Sequence, residues 1–233
     1  MIAVFVNMAT VLAGSLIGII FSSKIKKEYT DIIISALALV TIVIGITSAI
    51  ESGDTLCLIF SIVVGTVLGT LLKIDRRIDG MGGWIKEKVP AGGNAGGRFT
   101  EGFVSACILF CVGSMTIMGS FEAGINHNYS ILFAKSALDF VSSMMFGAAM
   151  GVGVTFSVFF ILVFQGGLVL LANFISPYLG ANVIAEMSAV GGTILIGMGL
   201  NMLELSEKKI TVANMLPAVF IPIAYIPVYE AIM

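Results

Sequence analysis

Residues 181–204, ANVIAEMSAVGGTILIGMGLNMLE, decide the fold. The stretch is longer than the roughly 20 apolar residues that cross a bilayer core as a helix. Glu186, Thr193, Gly197 and Glu204 follow one another along it at spacings of seven, four and seven, so they share one helical face. A polar stripe of that length must face protein or water, because lipid offers it no hydrogen-bonding partner.

The rest of the chain has the same character. Of 233 residues 58% are hydrophobic and 11% charged, and the mean hydropathy is +1.08. A soluble domain carries about a quarter charged residues, so this chain lacks the polar groups to cover a water-facing surface. Nucleic-acid binding and soluble enzymology are excluded as expectations, and the partners expected are the lipid bilayer and a small solute or ion. Apolar runs bounded by charge, Gly or Pro predict eight helices, at 2–22, 30–50, 55–73, 102–121, 130–152, 154–176, 182–204 and 209–229. Transmembrane strands are shorter, about ten residues, and alternate polar with apolar; these runs do neither, so the fold class is an all-α polytopic membrane protein. Met1 to Phe21 lacks the basic start of a signal peptide and reads as a retained first span.

The few charges predict an orientation. Lys24, Lys26 and Lys27 follow the first span, Lys73, Arg76, Arg77, Lys86, Lys88 and Arg98 the third, and Lys208 and Lys209 lie between the last two. With eight spans and both termini outside, all of these fall on the cytoplasmic side of a bacterial inner membrane, as positive residues do. The opposite loops carry Glu51, Asp54, Glu122 and His127 and a turn around Pro177. Only Lys135 stands apart from the basic loops. Residues 74–100 form the one long polar connection, in which Ile74, Ile78, Met81 and Ile85 predict a short interfacial helix before the Gly-rich linker at 92–97.

An internal repeat organises the chain. Laying 13–46 on 165–198 pairs Gly14 with Gly166, Thr41 with Thr193, Ile44 with Ile196 and Gly45 with Gly197, and a one-residue shift lays 61–67 on 214–220. Spans 1–3, residues 1–75, therefore match spans 6–8, residues 154–233, with spans 4 and 5 at 101–153 between them. The two units start five spans apart, so they are expected to insert with opposite orientation, as in many secondary transporters.

Ionisable and polar side chains at membrane depth cost several kcal/mol and mark functional candidates. Asp139 lies mid-span, with Lys135 one turn earlier on the same face; the pair reads equally as a structural ion pair or as part of a permeation path. Glu186 reads as a cation ligand or as a hydrated interfacial acid. Gln165, Asn201 and Asn214 need partners, as does Asn7, and interhelical bonds would satisfy each of them singly. Gly191 and Gly192 with Thr193 predict a weak point in span 7, and Pro217, Pro222 and Pro227 a distorted span 8. The expected site is Asp139, Glu186, Gln165, Asn201, Asn214, Lys135, Gly191, Gly192 and Thr193, with Na⁺ or H⁺ as the only bound ion and no other cofactor. Cys57, Cys107 and Cys111 read as packing residues, and with one histidine no zinc set suggests itself. The sequence has no HExxH, P-loop or GxSxG pattern, so no enzyme is expected. Small residues such as Gly65 and Gly69 suit helix packing within a chain or in a homo-oligomer.

The runs VNMATVLAGSLIG at 6–18, VGSMTIMGSFEAG at 112–124, AKSALDF at 134–140, FQGGL at 164–168, EMSAVGG at 186–192, GMGLNML at 197–203 and TVANMLPA at 211–218 are similar to those of the YqgA-like bacterial membrane proteins, the family of domain of unknown function 554. The resemblance spans the chain and implies a bacterial inner-membrane protein described as a transport protein without an assigned substrate. Phe140 and Phe164 stand where that family usually carries Gly and Tyr. The function expected is transport of a small solute or ion between two inverted repeats; a channel and a non-transporting structural protein are the alternatives.

Overall fold

The computed structural model describes residues 1–22, 27–78, 80, 99–111, 114–175, 179–205 and 208–232, and among these there is no strand. The interfacial helix expected within 74–100 falls almost wholly outside the described residues, beyond a helical turn at 74–78, as do the linker, Lys24, Lys26, Lys86, Lys88, Arg98 and Pro177. The long helices are α1 (Ile2–Ser22), α2 (Lys27–Ala49), α3 (Thr55–Leu71), α4 (Phe99–Cys111), α5 (Ser114–Ile125), α6 (Ser130–Met150), α7 (Val152–Ile175) and α8 (Ala181–Met202). A short α9 (Val212–Met215) leads through a 3-10 stretch, Leu216–Phe220, into α10 (Ile221–Ile232).

These helices are apolar outside and small or polar inside. In α1 the buried face is Ala3, Val4, Asn7, Val11, Gly14, Ser15 and Gly18, while Ile2, Phe5, Leu12, Leu16 and Ile20 are exposed. In α3, Cys57, Ser61, Gly65 and Gly69 are buried at four-residue spacing, and Leu56, Ile59, Phe60, Val63 and Val67 are exposed. Water would favour the reverse. Hydrocarbon solvates the large side chains, and close backbone packing takes the small ones. The protein is an all-helical membrane protein. Five segments are long and apolar enough to cross: Ile2–Ser22, Ser130–Met150, Val152–Phe174, Ala181–Met202 and Val212–Tyr229. Ile34–Ala49 and Thr55–Leu71 are shorter apolar helices.

The fourth span, expected as one helix over 102–121, is instead two, α4 and α5, bent by 55°. Across the bend the Thr116 hydroxyl donates to the Phe110 carbonyl at 3.1 Å, a group that an unbroken helix would satisfy with the backbone N–H four residues on. The last span is distorted where its prolines predict. Pro217 opens the 3-10 stretch and Pro227 lies inside α10, each lacking the N–H that a regular helix would use. The weak point expected at Gly191–Gly192 does not form: α8 runs unbroken from Ala181 to Met202.

Three glycines set the closest pairing, α1 with α6. A β-carbon at Gly14 would strike Phe140 and Ser143, one at Gly18 would strike Met144 and Ala148, and one at Gly147 would lie 2.6 Å from the Ser15 carbonyl oxygen. The paired numbers rise together, so these helices are parallel. The α1–α7 contacts run the other way: Asn7 meets Gln165 and Ser15 meets Thr155. The chain therefore reverses between α6 and α7, at Gly151, whose φ of 76° suits glycine. α8 occupies the centre. From Val183 to Met202 none of its residues is exposed, and it packs along α2, with α3, α4, α5 and the C-terminal helices around it.

Candidate functional site

Four polar side chains on three helices join below the apolar surface. On α6, Lys135 Nζ donates to Asp139 Oδ2 at 2.5 Å, and the two residues are 6% and 5% exposed. The i,i+4 spacing stacks them on one face of the helix. On α1, Asn7 lies beside the Asp139 carboxylate, and its Nδ2 donates to Gln165 Oε1 on α7 at 3.3 Å. Asn7 and Gln165 are fully buried. Each amide keeps a polar atom without a hydrogen-bond partner among the described residues, Asn7 Oδ1 and Gln165 Nε2. The Phe110 ring, at the end of α4 beside the bend, lies 5.9 Å from Lys135 Nζ. One acceptor and one donor thus stand unused beside a buried ion pair, at a junction of α1, α4, α6 and α7.

Glu186 belongs to a different centre. It is 3% exposed, and its carboxylate accepts from the Ser52 hydroxyl at 2.8 Å, the Gly53 N–H at 2.7 Å and the Asp54 N–H at 2.9 Å. Asp54 itself caps α3, accepting from the N–H groups of Leu56 and Cys57. The start of α8 is thereby fastened to the α2–α3 loop by three charge-assisted bonds. Such a carboxylate is neither a hydrated interfacial acid nor short of partners, and it shares none of them with Asp139.

The two asparagines hold the other end. Asn201 donates through Nδ2 to the Ile210 carbonyl at 2.7 Å and accepts the Ile210 N–H at 2.9 Å, closing the loop between α8 and α9. Asn214 Oδ1 accepts the Asp75 N–H at 3.0 Å. Lys209 pairs with Glu101 nearby, which brings the ends of α3, α4 and α8 together. Thr193 returns its hydroxyl to the Ala189 carbonyl at 3.0 Å. Gly191 and Gly192 are buried, and a β-carbon at Gly192 would lie 2.6 Å from the Gly45 carbonyl oxygen; the glycine serves close packing against α2.

Of the nine expected site residues, then, the structure joins Lys135, Asp139 and Gln165, and it adds Asn7, which the sequence marks only as needing a partner. Phe110 and Ser52 carry no sequence signal of their own. Cys57, Cys107 and Cys111 are free and buried, as expected of packing residues. Among the described residues no three His, Cys, Asp or Glu side chains converge to hold a metal.

The buried stripe on α1, the α6 ion pair and the α8 core lie within residues 2–226, which match the family model described as Protein of unknown function (DUF554). The chain belongs to this family. It is 28% identical over 229 residues to the Uncharacterized membrane protein YdfK of Bacillus subtilis, covering 97% of this chain and 95% of that one. It is 27% identical over 223 residues to the Uncharacterized protein YqgA of Escherichia coli, covering 93% and 92%. No solved structure matches the chain. Each match covers more than nine tenths of both chains.

Proposed function

We propose that this DUF554 protein is a transporter of a small solute or ion, built from two inverted repeats, with its site at Lys135, Asp139, Asn7 and Gln165. One observation carries the reading: the helices matched by the internal repeat pack against their own mates, antiparallel, about the matched residues. In the repeat Gly65 is the mate of Ala218, and a β-carbon at Gly65 would strike Ala218. Ile44 is the mate of Ile196; the α2–α8 contacts lie on either side, Gly45 and Ala49 with Gly192, Ala38 and Ile42 with Gly199. The same offset makes Thr10 the mate of Leu162, and the Asn7–Gln165 and Ser15–Thr155 bonds bracket them. Where two copies of a unit related by a twofold axis in the membrane plane touch at that axis, a residue meets its own mate. Three independent helix pairs meeting at their mates is hard to produce otherwise.

The Asn7–Gln165 bond lies across that repeat interface, and the bent α4–α5 pair approaches it through Phe110. Broken helices beside a midplane polar site at a repeat boundary are the usual anatomy of secondary transporters. The coupling cation, H⁺ or Na⁺, is assigned to Asp139 in the half of the cycle in which no solute occupies the site, since the Glu186 carboxylate is occupied by the α2–α3 loop. No chemical change to the solute is proposed, and no cofactor. The basic ends of α3 and α8, with Arg76, Arg77, Lys208 and Lys209, are assigned to the cytoplasmic face of the inner membrane, with both termini outside.

The test is gradient-driven flux into proteoliposomes. A Na⁺ or H⁺ gradient is expected to drive uptake, and Asp139→Asn and Gln165→Leu to slow it at least about tenfold, the equivalent of about 1.4 kcal/mol. Absence of any gradient-dependent flux, or unchanged flux in both variants, overturns the reading.

A further inference from the structure

The polar junction has a definite charge balance, and that balance selects a ligand class. We infer that it binds a small zwitterion, a solute of the amino-acid or betaine type whose anionic and cationic ends lie a few ångströms apart. The inference rests on the proposal that this junction is the transport site.

The site is neutral as a whole. Lys135 and Asp139 cancel, and Asn7 and Gln165 add dipoles without charge. A ligand with net charge would bring an uncompensated ion into a low-dielectric interior, at the cost such burial always carries. An uncharged alcohol or sugar could satisfy the two unused amide atoms but would leave the ion pair closed. A zwitterion does both jobs. Inserted between the Lys135 ammonium and the Asp139 carboxylate, it exchanges one ion pair for two and leaves the net charge at zero.

The unused atoms match in kind. Gln165 Nε2 is a free donor for a ligand carboxylate, and Asn7 Oδ1 is a free acceptor for a ligand ammonium. Exchanging oxygen and nitrogen in both amides leaves one free donor and one free acceptor again, so the argument does not depend on how the amides are assigned. Lys135 Nζ and Asp139 Oδ2 are in contact at 2.5 Å, so the zwitterionic headgroup enters as the long, flexible Lys135 side chain swings away from the carboxylate. Buried amide atoms left unpaired are costly, and in a binding site the ligand removes that cost.

The test uses the full-length protein purified in detergent, with its thermal unfolding followed by a thiol-reactive dye, since all three cysteines are free and buried. Glycine, alanine, proline and glycine betaine are added singly at millimolar concentration, with succinate, choline and glycerol as anionic, cationic and uncharged controls at matched ionic strength. At least one zwitterion is expected to raise the midpoint by roughly 3 °C or more, and the controls are expected to leave it in place. Gln165→Leu is expected to abolish the rise. The double variant Lys135→Met with Asp139→Leu, which removes both charges together and so leaves no lone buried ion, is expected to keep a cooperative transition and to lose the response. If no zwitterion shifts the midpoint, if succinate or choline shifts it as far, or if the double variant responds like the parent, the inference is wrong. Proteoliposome flux separates the two claims. Flux of ions or uncharged solutes without zwitterion binding overturns the ligand class alone, while zwitterion binding with no flux of any solute overturns transport alone.

Discussion

Gly65 on α3 packs against Ala218 in the 3-10 stretch so closely that a β-carbon on the glycine would overlap the Ala218 backbone and side chain. The crossing continues one turn on, where a β-carbon on Gly69 would strike the Asn214 backbone, so backbone meets backbone along it and little side chain is there to give way.

Gly65→Val is accordingly expected to destabilise the protein by about 1–3 kcal/mol, the usual cost of overpacking. Thermal unfolding in detergent measures it. Ala218→Gly added to that variant is expected to restore part of the loss, because it removes the side-chain half of the collision. No loss in the single variant, or no recovery in the double, would show that the crossing is looser than its geometry.

The clamp of Glu186 on the α2–α3 loop predicts a local effect. Glu186→Gln replaces one acceptor oxygen with a donor that faces the donors of Ser52, Gly53 and Asp54. A lost charge-assisted bond is worth about 1.5–3 kcal/mol. Hydrogen exchange should accelerate over residues 50–56 in this variant and leave the Asn201–Ile210 loop at the opposite end unchanged. Equal exchange in both proteins at 50–56 would mean that the carboxylate does not hold the loop.

The Lys135–Asp139 pair predicts strong non-additivity. Either Lys135→Met or Asp139→Leu alone leaves a buried charge without its partner, at about 3–5 kcal/mol. The double variant removes both charges and is expected to be more stable than either single one. A double-mutant cycle in thermal or denaturant unfolding checks this; simple addition of the two losses would mean that water reaches both groups.

Much of this was legible in the residues. The helical class followed from long apolar runs, and Asp139 and Lys135 announced each other by their spacing. The break between the helices predicted at 130–152 and 154–176 was legible to within two residues, since the helices run over Ser130–Met150 and Val152–Ile175. Other features were hidden for physical reasons. A carboxylate such as Glu186 looks unsatisfied in sequence because two of its three donors are backbone N–H groups of a loop 132 and 133 positions away, and backbone donors leave no mark on residue identity. Gly191 and Gly192 were ambiguous because the same absence of a side chain weakens a helix and admits a neighbour; α2 lies against them, and packing prevails. The bend between α4 and α5 left only an unremarkable threonine, Thr116, as its trace. Asn201 and Asn214 read as site residues because an asparagine at a helix end and one at membrane depth differ by only a few positions, less than the uncertainty of a helix boundary.

The enclosure of α8 bears on how the chain is assembled. From Val183 to Met202 most of this helix is buried and none of its residues is fully exposed, and it brings with it Glu186 and a series of glycines. Its docking surfaces on α2, α3, α4 and α5 precede it in synthesis, and those on the C-terminal helices follow it. The bilayer can therefore hold the earlier helices on their own apolar faces while a slot stays open among them for α8, and the C-terminal helices then close against it. Errors that spare the outer helices but delay this one would leave a protein inserted, full length and unfinished.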